Sequence, residues 1–304
     1  MTPRVLLRLL PALAALACAS SAQLPPREFD GRQAMAYAER QLAFGPRIPG
    51  TAPHRAMGDW LDSLLRARAD TVVVQAWDHT TAGGAVLPLR NFLARFRPAA
   101  ARRVLLFAHW DTRPLADGPN STDSSAAVPG ADDGASGVAV LLAMADALHA
   151  RAPEVGVDLL FVDGEDYGDF DAPGRPDVLV GARYYADHPV PPLPAYAILL
   201  DMIGDRTLQI KQEGYSLSAA PKVMERIWDL ARRLGYSSTF IPEAGDPIID
   251  DHLELQRVGI PAVDLIDLDY PWWHTKDDTI DKISVESLQA VGDVMMAVVR
   301  VEED

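Results

Sequence analysis

Three short, almost wholly apolar stretches constrain this chain more than any other feature of its sequence. Residues 104–108, 157–162 and 196–200 have strand length and little polar content, the pattern of strands buried inside a sheet. Runs with helical spacing fall between such strands, and this alternation argues an α/β fold. Each apolar run delivers polar groups at its carboxyl end: His109 after the first, the adjacent pair Glu165 and Asp166 after the second, and Asp201 after the third. In a parallel sheet these ends converge on one rim, where ligand crevices of open α/β sheets lie. Three metal-compatible groups at three such ends are improbable by chance. Neighbouring residues at a strand end point to different sides, so one of the two adjacent carboxylates can hold a metal while the other faces a substrate as an acid or base.

The remaining pattern fills in around these strands. Helical spacing covers residues 30–42, 52–67, 138–148, 180–186 and 221–234, with a short helical piece over 250–257 and a last helix capped by Ser284. A strand pair is expected at 71–77 and 89–96 around a turn at 80–84, an edge strand at 208–211 and a further strand at 261–266. His54, at the start of the second helix, reads as a surface or capping histidine. His109 with Asp111 two residues on suits a metal ligand and its orienting carboxylate, and equally a structural His–Asp pair. A long polar loop spans 113–129. It ends in Asp132 and Asp133 at a helix start, where either can cap; with Asp132 as the cap, Asp133 is free to ligate. Trp273 and His274 lie in an aromatic-rich loop, either as the wall of a dry pocket beside a ligand or as a staple to the core.

Composition narrows the classes of function. The chain has 304 residues, 48% of them hydrophobic, enough for one large globular domain or two small ones. A formal net charge of −15 disfavours phosphate-backbone binding, so nucleic acid is excluded as a partner; the acidic surface suits solubility first and cationic peptides second. Residues 1–22 read as an export signal, with Arg4 and Arg8 flanking an apolar stretch too short for a permanent membrane span. Cleavage is expected near Ala19 or Ala22, or the segment is a lipoprotein signal in which Cys18 becomes the acylated first residue. Cys18 is the only cysteine, so the exported protein has no disulfide and no cysteine ligand. These features imply a periplasmic or extracellular protein, membrane-anchored if Cys18 is lipidated. Residues 23–304 form its single catalytic domain.

Collected, His109, Asp133, Asp166, Asp201 and His274 make an oxygen and imidazole set suited to zinc, with Glu165 left over as acid/base. With Phe44-Gly45-Pro46-Arg47, His109-Trp110-Asp111, Gly164-Glu165-Asp166, Leu200-Asp201-Met202, Asp250-Asp251-His252 and Trp273-His274-Thr275, the chain resembles zinc peptidase family M28, and within it the glutaminyl-peptide cyclotransferase branch. That resemblance implies a three-layer αβα fold of zinc-exopeptidase type around a central mixed, mostly parallel sheet. It also implies conversion of N-terminal glutamine of peptides or proteins to pyroglutamate with release of ammonia. One Zn2+ would sit on Asp133, Asp166 and His274, Glu165 would carry the proton, Asp201 and Asp250 would act as hydrogen-bonding acids, and Trp273 would cover the substrate. The alternative within the family is an aminopeptidase with two zinc ions, His109 and Asp201 on one, Asp166 and His274 on the other, Asp133 bridging. An inactive peptide-binding domain is the remote third reading. Asp250 favours the cyclotransferase, because the peptidases usually have serine there. Two positions depart from the pattern: Asp166 stands where the family usually has glutamate, and Asp264 where animal cyclotransferases have histidine, so no imidazole role is carried to that position.

Overall fold

The computed structural model describes residues 24–302. The export signal expected over residues 1–22, Cys18 included, lies outside the described residues. Among the described residues, no helix is long and apolar enough to cross a membrane.

Two helices, α1 (Gly31–Leu42) and α2 (Ala52–Arg66), precede the hairpin of β1 (Thr71–Thr80) and β2 (Val86–Phe96). Then follow β3 (Arg103–His109), α3 (Ala135–Ala150), β4 (Gly156–Val162), α4 (Val180–Asp187) and β5 (Tyr196–Asp201). The last third comprises β6 (Ile210–Gln212), α5 (Gly214–Ala219), α6 (Pro221–Leu234), β7 (Phe240–Ala244), α7 (His252–Arg257), β8 (Ala262–Ile266) and α8 (Val285–Val301). Side-chain caps fix several helix starts. Asp30 accepts from the N–H groups of Arg32 and Gln33, Thr51 from that of His54, and Ser284 from that of Ser287. Pro221 opens α6 and Gly235, left-handed, closes it.

Six strands form the main sheet in the order β1-β2-β4-β3-β5-β8. The four strands β4, β3, β5 and β8 run parallel, and β2 pairs antiparallel with both β1 and β4. The sheet is therefore mixed and mostly parallel, with helices on both faces, the three-layer αβα arrangement expected from the sequence. One face packs Val104, Leu106 and Ala108 of β3 under α1, α2, α3, α6 and α8. The other packs Leu105 and Phe107 under Ala182 and Tyr185 of α4 and Leu255 of α7. Burial on both faces is the reason these strands read as continuous apolar runs.

Asp158 is the polar break in β4, and the fold answers it with two guanidinium groups. Arg95 and Arg103 both reach its carboxylate, with Arg95 Nε at 3.0 Å from Oδ1 and Arg103 Nε at 3.0 Å from Oδ2. All three are buried near the amino ends of β3 and β4, far along the strands from the polar rim. A fully buried carboxylate is tolerated there because every oxygen is matched.

The expected edge strand at 208–211 forms instead over Ile210–Gln212 and pairs in parallel with β7, as a separate two-stranded sheet. Strand β7 has no counterpart in the sequence reading. Only its first residue, Phe240, is buried, so it carries almost no apolar pattern.

Candidate metal centre

The strand registers build the site. Phe107 of β3 lies opposite Leu199 of β5, so His109 and Asp201, each two residues further on, end their strands side by side. His109 pairs with Val162 of β4, whose continuation carries Glu165 and Asp166 around the left-handed Gly164. Asp133 comes from the loop before α3. That helix starts at Gly134, whose φ of 88° only glycine adopts without strain, and Gly137 then lies so close to β5 that a Cβ there would sit 2.1 Å from the Leu200 carbonyl oxygen. A glycine at each position lets the helix end reach the strand ends.

Two donor groups result, sharing Asp133: His109, Asp133 and Asp201 in one, and Asp133, Asp166 and His274 in the other. All five residues are buried. His109 Nε2 lies 3.1 Å from Asp133 Oδ1 and 3.3 Å from Asp201 Oδ1. His274 Nε2 lies 3.3 Å from Asp166 Oδ1 and 3.5 Å from Asp133 Oδ2. The structure thus brings together every metal-ligating candidate of the sequence reading. Asp133 Oδ2 and Asp166 Oδ2 are buried and have no hydrogen-bond partner, an arrangement that costs about 1–3 kcal/mol or more for each neutral group and more for a charged one unless something takes the lone pairs. Carboxylate and imidazole donors at this spacing fit zinc. The negative potential is evident at His274, where burial alone would lower the imidazole pKa but Asp166, Asp117 and Asp133 raise it to about 10.

A ring of hydrogen bonds aims these groups. Asp111 accepts from the backbone N–H of Glu165 at 3.1 Å and of Asp166 at 3.2 Å, and it stands 3.6 Å from His109 Nδ1. One carboxylate therefore backs the histidine and fixes the acidic pair. Asp278 accepts from the N–H groups of Asp132 and Asp133 and from the Tyr270 hydroxyl. Burial and the charge of Asp133 push Asp278 up to about 7. Asp132 does not cap α3, as the sequence reading allowed. Its Oδ1 accepts from the Gly204 N–H at 2.6 Å, tying the helix start to the turn after β5; the N-cap is Gly134, without a side-chain bond.

Glu165 is 6% exposed, with Oε2 3.7 Å from His109 Nδ1. Burial and the neighbouring Asp166 hold its carboxyl well above the usual range, which suits a group that must both take and give a proton. Asp250 is raised likewise, by burial first and then by Asp264 and Asp201. Asp264 is fully buried behind it, with Oδ2 3.5 Å from His252 Nδ1. Trp273 stacks on the His274 ring at 4.1 Å between centroids, and His274 itself holds a left-handed φ of 52°, a strain of about 1–3 kcal/mol that clusters at functional sites. Glu165, Asp201, Asp250, Trp273 and His274 line one cavity of about 440 Å³, with Met202, Ile248 and Ile266 as its apolar floor.

His54 is a correction. It is 1% exposed, its Nε2 pairs with Asp163 Oδ1 at 2.8 Å, and its ring stacks on Trp110 at 4.3 Å. It belongs to neither donor group. Its partner lies 109 positions away, so local spacing gave no sign of burial. Arg113 and Asp117 were also missed as site residues, inside a loop recognised only as long and polar. Asp278 was read as loop residue alone.

Known proteins bear on this geometry. The model of peptidase family M28 matches residues 91–299. A glutaminyl cyclase of Bacteroides thetaiotaomicron, solved with N-acetylhistamine, superposes with a TM-score of 0.87 at 38% identity, covering 92% of this chain and 100% of that one. A Zn-dependent exopeptidase of Parabacteroides distasonis gives a TM-score of 0.86 at 39% identity, with 92% and 100% covered. The aminopeptidase YwaD of Bacillus subtilis is 27% identical over 254 residues, 78% of this chain and 48% of that protein. This chain thus spans about half the length of that relative.

Proposed function

The chain belongs to peptidase family M28, and from that premise we propose that it is a zinc-dependent glutaminyl-peptide cyclotransferase, closing the N-terminal glutamine of peptides or proteins to pyroglutamate with release of ammonia. The observation that carries this reading is Asp250, a buried carboxyl whose pKa burial, Asp264 and Asp201 push up, in the wall of the cavity that also holds Glu165 and His274. A carboxyl there is placed to hydrogen-bond the reacting amide nitrogen, and the resemblance sets it with the cyclotransferases, since the family's peptidases usually have serine at this position.

Asp133, Asp166 and His274 would hold the zinc. When bound, zinc supplies Lewis-acid polarisation of the side-chain amide carbonyl. Glu165 takes a proton from the α-amine as its nitrogen forms the new bond to the amide carbon. The same carboxyl then returns that proton to the departing –NH2 as the original C–N bond breaks, so that ammonia leaves and no net proton is consumed. Asp250 and Asp201, which line the same cavity, hydrogen-bond the reacting amide nitrogen. Trp273 closes the apolar side of the cavity over the glutamine and excludes water, which would otherwise compete with the amine.

The shared donor Asp133 supports the second reading, a two-zinc aminopeptidase, because His109, Asp133 and Asp201 form a complete second group. In that case Glu165 deprotonates a water that attacks the first peptide bond. Incubating the purified protein with a Gln-leading and a Leu-leading peptide separates the two by mass. Loss of 17 Da from the first (~17, one ammonia) with the second intact is the expected result; release of free leucine would overturn the cyclase reading, and two tightly held zinc ions per chain would point the same way.

A further inference from the structure

We propose that Arg113 is a positioning residue that orients two of the three zinc donors at once and compensates for the short arm of Asp166. This inference rests on the reading that Asp133, Asp166 and His274 hold the metal. Arg113 is 7% exposed, and each of its three side-chain nitrogens donates to a partner. Its Nη1 donates to Asp166 Oδ1 at 2.8 Å, and to the carbonyls of Asp166 at 3.3 Å and Gly168 at 3.0 Å. Its other edge forms a two-point fork onto Asp117, Nε to Oδ1 at 2.6 Å and Nη2 to Oδ2 at 2.7 Å. Asp117 Oδ1 in turn lies 3.6 Å from His274 Nδ1, the ring nitrogen facing away from the donor cluster. The neighbouring Gly118 N–H donates to the His274 carbonyl at 2.9 Å, which locks this loop to the histidine.

The planar guanidinium explains how an aspartate serves where family members usually carry glutamate. Held by Arg113 through Oδ1 and through its own carbonyl, Asp166 has both its rotamer and its backbone fixed, and Oδ2 is left as the buried oxygen without a partner. A shorter side chain reaches a metal only if its Cα is brought forward and kept there, and the two bonds from Nη1 to Asp166, with a third to the Gly168 carbonyl, do this while the fork onto Asp117 holds the guanidinium itself. Lysine cannot replace it, since a single ammonium spans one side of the fork and not both. Asp117 supplies the outer carboxylate that ligating histidines use to fix ring orientation.

The test measures zinc affinity of the full chain by competition with a chromophoric chelator, alongside the melting temperature of the zinc-free protein. Arg113→Lys and Asp117→Asn should each weaken zinc binding by about 10–100-fold, the range for outer partners of metal ligands. Asp117→Asn should leave the zinc-free protein folded, since its side chain is 47% exposed and the amide oxygen can still accept from Arg113. Asp166→Glu placed in the Arg113→Lys background should recover affinity, because the longer arm no longer needs the fork. Zinc affinities within twofold of the parent in both single variants would overturn the proposal, as would no recovery in the double variant. Should Arg113→Lys fail to fold, Asp117→Asn decides alone. A parent protein that binds no zinc removes the metal reading and this inference together, whereas a zinc-binding parent with unaltered variants removes only this inference.

Discussion

Glu165 and Asp166 are adjacent in sequence yet face different work, and Asp111 makes that division possible by holding both of their backbone N–H groups. If Glu165 carries the proton, Glu165→Gln should lower kcat by about 10²–10⁴ while KM and zinc content stay close to the parent, because the amide keeps the shape and loses only the transferable proton. Steady-state kinetics with metal analysis checks this; turnover above a tenth of the parent would move the proton to another group. Asp250→Ser should abolish most cyclisation and leave the circular dichroism spectrum and melting temperature intact, and full retained activity would remove the carboxyl from the mechanism. At this scale the sequence was legible where chemistry sat at the end of an apolar run, as with His109, Glu165 and Asp201. It was illegible where the partner was distant. His54 looked like a surface histidine because nothing near it in sequence announces Asp163, and Arg113 looked like loop charge because both its carboxylate partners matter only once His274 is folded against Asp117.

Among the elements, α3 sets the geometry of the site, since Asp133 precedes it and its first turn lies on β5. Gly137→Ala would place a methyl group 2.1 Å from the Leu200 carbonyl oxygen, backbone that cannot swing aside. Overpacking of this kind costs about 1–3 kcal/mol or more, and the displacement falls on the residue before Asp201. Urea denaturation should therefore show a lower midpoint for Gly137→Ala, together with weaker zinc binding; an unchanged midpoint would mean that α3 tolerates a shift without consequence. The parallel strands, the hairpin and the long helices were all readable from periodicity, because their apolar residues are buried on both faces or along one stripe. The small sheet of β6 and β7 was only half readable, since β7 exposes most of its residues and its pairing depends on where α6 returns the chain.

For the whole molecule, the formal charge is −15, and two buried carboxylates away from the donor groups are answered by the fold. Asp158 has its two arginines, and Glu213 has a cage of donors. Burial opposes the charge on Glu213, but His252, Ser216 and the N–H groups of Ile248 and Tyr215 hold its carboxyl down at about 2. The unfolded chain protonates a glutamate near pH 4.3 (about 4.3), so this group's stabilisation is complete above that pH and is lost as pH falls through about 2. Glu213→Gln should flatten the dependence of melting temperature on pH between about 4.5 and 2; a slope equal to the parent's would mean that Glu213 is not the group responsible. The sheet order has a wider consequence. His109 and Asp201 end two strands, Asp133, Asp166, Asp250 and His274 arrive from four separate connections, and Asp250 lies just ahead of α7, outside every strand of the sheet. The strands that build the sheet and the loops that carry Asp133, Asp166, Asp250 and His274 are thus separate stretches of sequence. On the proposed reading, a change confined to the loop before α7, serine for Asp250, would alter the reaction while the sheet and the donor residues stay where they are.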